Sequence, residues 1–137
     1  MARIMSNFLR SVIYLFVFQF SLAMLIDIKE ASAAELVNGG FISGNILFAD
    51  DQDTHTFTVN AGENVQLRMA DTSGTGNLHP SMQLYSPSGD EIVIGAVTHG
   101  DPVAAIFYTA LETGTYTVLA SDYYSLNTGA YNLYFTR

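Results

Sequence analysis

The sequence predicts an all-β protein, an antiparallel sandwich or barrel of about eight strands, and three observations support this. Apolar residues after position 34 recur with a period of two rather than 3.6. The runs are rich in Thr, Val, Tyr and Phe, which favour pleated, half-buried surfaces. Turn-forming residues separate the runs at short, regular intervals, and no run has a helical pattern.

The alternation places each strand and its inward face. Phe57 and Val59 alternate with Thr56 and Thr58, and the other runs follow the same pattern. Tyr116 and Tyr131 share the alternation of the apolar set, so we expect both in the core. The predicted strands lie near 40–48, 54–60, 63–70, 80–86, 90–97, 102–109, 114–121 and 129–136.

Turn signals separate the predicted strands. Residues 60–63 read Asn-Ala-Gly-Glu, which predicts a tight hairpin. Residues 86–90 place Pro and Gly where a β-turn needs them. Residues 73–77 predict a longer loop.

The first 33 residues have the pattern of a secretory signal peptide. Arg3 and Arg10 make a basic start, Ser11–Ile26 is almost wholly apolar, and Ala31-Ser32-Ala33 is a small-residue cleavage site. We predict cleavage after Ala33, which leaves one domain at 34–137. The alternative is that the segment is kept as an N-terminal anchor.

Composition excludes several classes of protein. The absence of cysteine excludes a disulfide scaffold, and stability must come from packing. After residue 33 there are eleven acidic side chains against two basic ones, a net charge of −9. Such a surface repels phosphate backbones and anionic lipid, so we expect neither nucleic acid nor, once the leader is removed, a membrane as partner. The charge suits solubility, cation binding or a basic partner.

Three segments resemble the bacterial pre-peptidase C-terminal (PPC) domain family. They read DQDTHTFTVNAGENVQLRM, MQLYSPSGDEI and LETGTYTVLASDYYSLNTGAYNLYF, and together the likeness covers residues 40–135. The resemblance implies a jelly-roll-like β-sandwich that accompanies secreted proteases, assists secretion or binds a polymer, with calcium held by collagen-binding relatives. Only a few residues separate Ala34 from the first predicted strand, so we expect the accessory domain without a protease domain.

The acidic run Asp50, Asp51 and Asp53 has two interpretations. Calcium needs six to eight oxygen ligands, and these carboxylates could supply two or three of them. The spacing is not that of an EF-hand, and of the acidic segment that calcium-binding relatives use, only Glu35 and Asn38 have counterparts here. The alternative is a solvated turn in which Asp favours the bend. No cofactor is required, and calcium is the candidate ion.

The remaining candidates are histidines and tyrosines. His55, His79 and His99 have no zinc-site spacing, and no nucleophile motif accompanies the many Ser and Asp residues, so we expect no catalytic residues and no enzyme. Tyr123 and Tyr124 fall in a loop where strand geometry cannot bury both. They are the candidate ligand-binding residues; the alternative is that they cap the end of the sandwich.

The sequence therefore predicts a secreted or periplasmic, non-catalytic accessory or binding domain. Its expected partner is an extracellular protein or polysaccharide, with a secreted protease as one candidate. The alternative function is a structural or assembly subunit of a cell-envelope complex that uses an exposed sheet edge.

Overall fold

The computed structural model describes residues 33–75, 77–96 and 102–137. These ranges contain no helix of the length and apolarity that crossing a membrane requires. The predicted signal peptide falls almost entirely on residues outside the described part and stays a prediction.

Nine strands form in this part of the chain. They are β1 Ala34–Glu35, β2 Phe41–Ile46, β3 Gln52–Val59, β4 Asn64–Asp71, β5 Pro80–Tyr85, β6 Glu91–Ala96, β7 Val103–Thr109, β8 Gly114–Asp122 and β9 Gly129–Thr136. The eight predicted strands are confirmed to within about two residues at each end, and the two-residue β1 was not predicted.

The strands form two sheets packed as a sandwich. One has the order β1-β3-β8-β5-β6 and the other β2-β9-β4-β7. All neighbours are antiparallel except β1, which pairs parallel to β3 through Ala34 and Glu35. Without β1, this is the alternating order of a jelly roll, as the resemblance implied.

The core lies between the sheets and consists mainly of the residues that the alternation pointed inward, together with Leu36, Leu78 and Ala110 from the connecting segments. Phe57 stacks on Tyr116 of its own sheet, with ring centroids 5.5 Å apart, and on Phe135 of the other sheet at 4.7 Å. The predicted burial of Tyr116 and Tyr131 is confirmed, since both are almost fully buried. Aromatic contacts across the gap fix how the two sheets face each other.

The predicted hairpin at residues 60–63 is wrong in its partners. The turn is tight, because Glu63 N donates to Asn60 O at 3.2 Å and Asn60 N donates to Glu63 Oε2 at 2.5 Å. However, β3 pairs with β8, and β4 pairs with β7 and β9. The turn therefore carries the chain from one sheet to the other, because the pairing of a jelly roll joins strands distant in sequence.

Candidate functional site at the Tyr123 end of the sandwich

Three loops meet at one end of the sandwich, which we call the Tyr123 end. They are residues 47–51 before β3, residues 123–128 between β8 and β9, and the segment before β5 that contains His79. Backbone hydrogen bonds join them: Asp50 N donates to Ser125 O at 3.3 Å, and Tyr123 N donates to His79 O at 2.8 Å. The loops thus form one connected surface.

Asp122, the last residue of β8, holds this surface together. Its Oδ1 accepts from His79 N at 2.9 Å, and its Oδ2 accepts from the backbone N–H groups of Tyr124, Leu126 and Asn127 at 3.1–3.2 Å. The residue is 4% exposed. Burial disfavours the charged form, but the hydrogen bonds from His79, Leu126 and Asn127 outweigh it, and the pKa of Asp122 is lowered. A buried carboxylate therefore fixes the shape of the loop.

The two candidate tyrosines lie side by side on this loop. Tyr123 and Tyr124 are 44% and 43% exposed, and their rings meet edge to face with centroids 5.0 Å apart. Tyr124 also packs edge to face on His79 at 4.8 Å. Leu126, in the same loop, is exposed. The arrangement presents ordered aromatic area to solvent at low cost in side-chain entropy.

The second loop adds further exposed apolar side chains beside the acidic run. Leu47 and Phe48 are 67% and 62% exposed. Asp51 closes this turn, since its Oδ2 accepts from Leu47 N at 2.7 Å and its N–H donates to Phe48 O at 3.2 Å. Asp50 takes a left-handed backbone conformation with φ 64°. Asp50 and Asp51 therefore shape a turn, as one of the two interpretations expected.

Asp53 points in a different direction from this turn. Its Oδ2 accepts from the Tyr131 hydroxyl at 2.7 Å, inside the sandwich. Asn38 lies at the opposite end, where its Oδ1 accepts from Arg137 N at 2.9 Å. Among the described residues no three His, Asp or Glu side chains gather in a way that could hold a metal. Calcium binding by Asp50, Asp51 and Asp53 stays a prediction.

A polar network inside the sandwich was missed by sequence reasoning. The Tyr131 hydroxyl lies 2.8 Å from His55 Nε2 as well as against Asp53. Because its one proton goes to the Asp53 carboxylate, the oxygen must accept from His55 Nε2–H. His55 Nδ1 then carries a lone pair, and this buried atom has no hydrogen-bond partner among the described residues.

The environment of the network favours the neutral forms of His55 and Tyr131. Burial lowers the pKa of His55, although the nearby Asp53 charge opposes this. Burial and the bond to Asp53 raise the pKa of Tyr131. A Cβ added at Gly44 would collide with the Tyr131 ring, so glycine is needed there for the ring to fit. The sequence did hold a signal for this network. Tyr131 and His55 occupy inward-facing strand positions, and Asp53 lies two residues before His55.

The sequence model of the bacterial pre-peptidase C-terminal domain matches residues 51–122. The chain belongs to the PPC domain family. No curated protein matches the sequence.

Solved structures with the same fold include a PPC domain. The PPC domain of a Bacillus anthracis collagenase matches with a TM-score of 0.62 at 19% identity, covering 77% of this chain and 95% of that one. CorA, a surface-associated copper-binding protein of Methylomicrobium album BG8, matches at 0.63 and 10% identity, covering 77% and 97%. PliG of Aeromonas hydrophila, a periplasmic inhibitor of g-type lysozyme, matches at 0.57 and 11%, covering 76% and 96%. This PPC fold is therefore shared with binding and accessory proteins.

Proposed function

We propose that this PPC domain is a secreted or periplasmic, non-catalytic binding module that contacts an extracellular polymer or protein through the Tyr123 end. The observation that carries the proposal is the loop of residues 123–128, which Asp122 holds in shape while Tyr123, Tyr124 and Leu126 remain exposed. Interfaces draw most of their affinity from aromatic side chains that need little ordering on binding.

The location of the exposed apolar residues supports the same role. Leu47 and Phe48 extend the surface beyond the tyrosines, and the hydrogen bond between Asp50 and Ser125 keeps the two loops in contact. Binding residues concentrate on loops that a rigid scaffold positions. A secreted protease is a partner of the expected kind, since a collagenase carries a PPC domain.

Export is supported by the signal-peptide pattern of residues 1–33 and by the places where relatives of this fold act. CorA is surface-associated and PliG is periplasmic. Amino-terminal sequencing of the protein recovered from the periplasm or medium should begin at Ala34. Recovery of a chain that still begins near Met1 in the membrane fraction would favour the retained anchor.

The binding role is tested with the double substitution Tyr123→Ala plus Tyr124→Ala. The purified domain is passed over immobilised collagen, chitin, cellulose and g-type lysozyme. The double variant should lose binding to whichever of these retains the native protein. Tyr85→Ala is the matched control, since Tyr85 lies at the far end of β5 and should leave binding unchanged. Native protein that none of the four retains, or retention by the double variant, contradicts the proposal.

A further inference from the structure

The outer face of the four-stranded sheet carries a row of aromatic and basic side chains. Phe41 of β2 pairs with Tyr134 of β9, Tyr134 pairs with Arg68 of β4, and Arg68 pairs with Ala105 of β7. Phe41 and Tyr134 are 56% and 40% exposed, with ring centroids 5.3 Å apart. Phe107, on β7, is 73% exposed. Large aromatic residues on an outward sheet face are candidates for recognition.

Two shallow depressions join along β4 on this face. One, of about 430 Å³, is lined by Gln66, Arg68 and Tyr134 among others, and one of about 440 Å³ by Gln66, Phe107 and Arg137 among others. They share Gln66 and Thr136, so they form one trough, which we call the β4 trough. An eight-residue strand spans roughly 26 Å, which is the length of an oligomeric rather than a monomeric ligand.

The charge of the β4 trough is opposite to that of the protein. After residue 33 the sequence holds two Lys or Arg residues, Arg68 and Arg137, and both line the trough. Among the described residues, no Asp or Glu lines it. Arg137 is paired with Glu63 at 3.1 Å, whereas Arg68 makes no ion pair with a described residue. An anionic ligand is repelled by the rest of this acidic surface and attracted here.

The side chains around the β4 trough are those that recognise sugars. Tyr134 is held in place by Phe41 and by Asn132, whose Nδ2 donates to the Tyr134 hydroxyl at 3.4 Å. Flat aromatic rings offer apolar faces, and a guanidinium offers a planar pair of donors that matches a carboxylate. The floor of the trough, β4, is hydrogen-bonded on both sides, so it has no free edge for an extended peptide to join.

We propose that the β4 trough binds an acidic polysaccharide. The carboxylate of a uronic acid unit pairs with Arg68, and sugar rings lie against Tyr134 and Phe107. The β4 trough is distinct from the Tyr123 end and would give the domain a second binding site. Binding in the trough does not depend on the loop residues of the proposed function.

The test is calorimetric titration of the full domain with polygalacturonate oligomers at low and high salt, and with poly-glutamate as an acidic peptide. The control ligands are the same oligomers with methyl-esterified carboxylates, which keep the sugar backbone but carry no charge. Arg68→Gln removes the pairing group, and Arg68→Lys keeps the charge but not the planar fork. Thr54→Glu, exposed on the outer face of the other sheet, makes the same change in net charge away from the trough. Unfolding curves confirm that each variant is folded.

Polygalacturonate should bind, more weakly at high salt, and Arg68→Gln should lower the affinity by about tenfold or more. The affinity of Arg68→Lys should lie between those of the native protein and Arg68→Gln. The affinity of Thr54→Glu should be within about twofold of the native value, because surface charges at a distance are largely screened. Tyr123→Ala plus Tyr124→Ala should bind as the native protein does, which separates this site from the Tyr123 end.

Four outcomes would overturn the assignment. They are no binding by the native protein, equal affinity for the esterified oligomers, equal losses from Arg68→Gln and Thr54→Glu, and equal or tighter binding of poly-glutamate. The last result would identify an acidic peptide as the occupant. A failure here leaves the retention experiment with the tyrosine variant unaffected.

Discussion

This domain contains two buried polar networks, and they differ in how completely their polar groups are hydrogen-bonded. Asp122 accepts four backbone hydrogen bonds, and its charge is stabilised although it is buried. The Tyr131 hydroxyl joins Asp53 and His55 on β3 to a strand of the opposite sheet, but within the described part of the chain His55 Nδ1 has no hydrogen-bond partner. The first network shapes a loop, and the second joins the two sheets.

The two networks differ in how far their contribution to stability depends on pH. A buried acceptor surrounded by donors favours one protonation state strongly, while a buried imidazole nitrogen that accepts no hydrogen bond is costly, and burial lowers the pKa of His55. We therefore expect the Asp122 network to persist over a wide pH range and the Tyr131 network to weaken first.

Removing the acceptor of the first network should have the largest effect. Asp122→Ala leaves the backbone N–H groups of His79, Tyr124, Leu126 and Asn127 without their acceptor, and should lower the free energy of unfolding by about 3 kcal/mol or more. Urea denaturation measures it. Glu112→Ala, at an exposed acid, should change stability by less than about 0.5 kcal/mol. Equal effects of the two substitutions would show that the Asp122 network contributes nothing specific.

Removing the centre of the second network should have a smaller effect. Tyr131→Phe keeps the ring but leaves Asp53 and His55 Nε2 without their partner, a loss of about 1–3 kcal/mol. A double-mutant cycle with His55→Gln measures the coupling between the two residues. Tyr85→Phe is the control, because the hydroxyl of Tyr85 bonds Glu91 at the surface. A coupling energy of zero would mean that the hydroxyl and the imidazole do not act together.

The dependence of stability on pH should separate the networks. The pKa of His55 is lowered from 6.5, so its contribution is complete above that value and declines as the pH falls below it. The pKa of Asp122 is lowered from 3.8, so its contribution persists until the pH falls below that value. Between pH 6.5 and pH 3.8, the uptake of one proton cannot lower the free energy of unfolding by more than about 1.4 kcal/mol per pH unit.

Denaturation at a series of pH values checks this order. His55→Gln should remove most of the decline just below pH 6.5 and leave the acid limb unchanged. The groups that face His55 are Tyr131 and Asp53. A decline that survives the substitution would assign the titration to another group.

Calcium should have the smallest effect of the four. At a calcium concentration equal to the dissociation constant, a single site stabilises by about 0.4 kcal/mol, which raises Tm by roughly 2 °C. Asp50→Asn plus Asp51→Asn should abolish the rise and leave the Tyr131 network intact. Identical melting in calcium and in chelator would leave the acidic run with its turn-forming role alone.

The alternation of the sequence predicted most of the fold. Positions such as Phe57, Met69 and Val118 could be assigned to the core because a period of two fixes which face a side chain occupies. Which strands pair could not be read from the same pattern. The turn at residues 60–63 resembles a hairpin locally, but its strands join opposite sheets. Pairing depends on contacts between residues that are distant in sequence.

The candidate site was predicted less completely. Tyr123 and Tyr124 could be named as candidates because strand geometry could not bury both, and both are exposed. Asp122 was counted only as one acid among eleven, since its role depends on where the following loop places its N–H groups. The β4 trough was missed for a similar reason, because Arg68 and Tyr134 become neighbours only through the register of β4 and β9.

The strand order also determines when the domain can fold during its synthesis. The last two strands, β8 and β9, are central in their sheets and are flanked on both sides by earlier strands. Without residues 114–137, β3 is no longer joined to β5 in one sheet, and β2 is no longer joined to β4 in the other. Neither sheet is then continuous. Neither half of the core can close before β8 and β9 are available, so the domain completes its fold only after residues 114–137 have been synthesised.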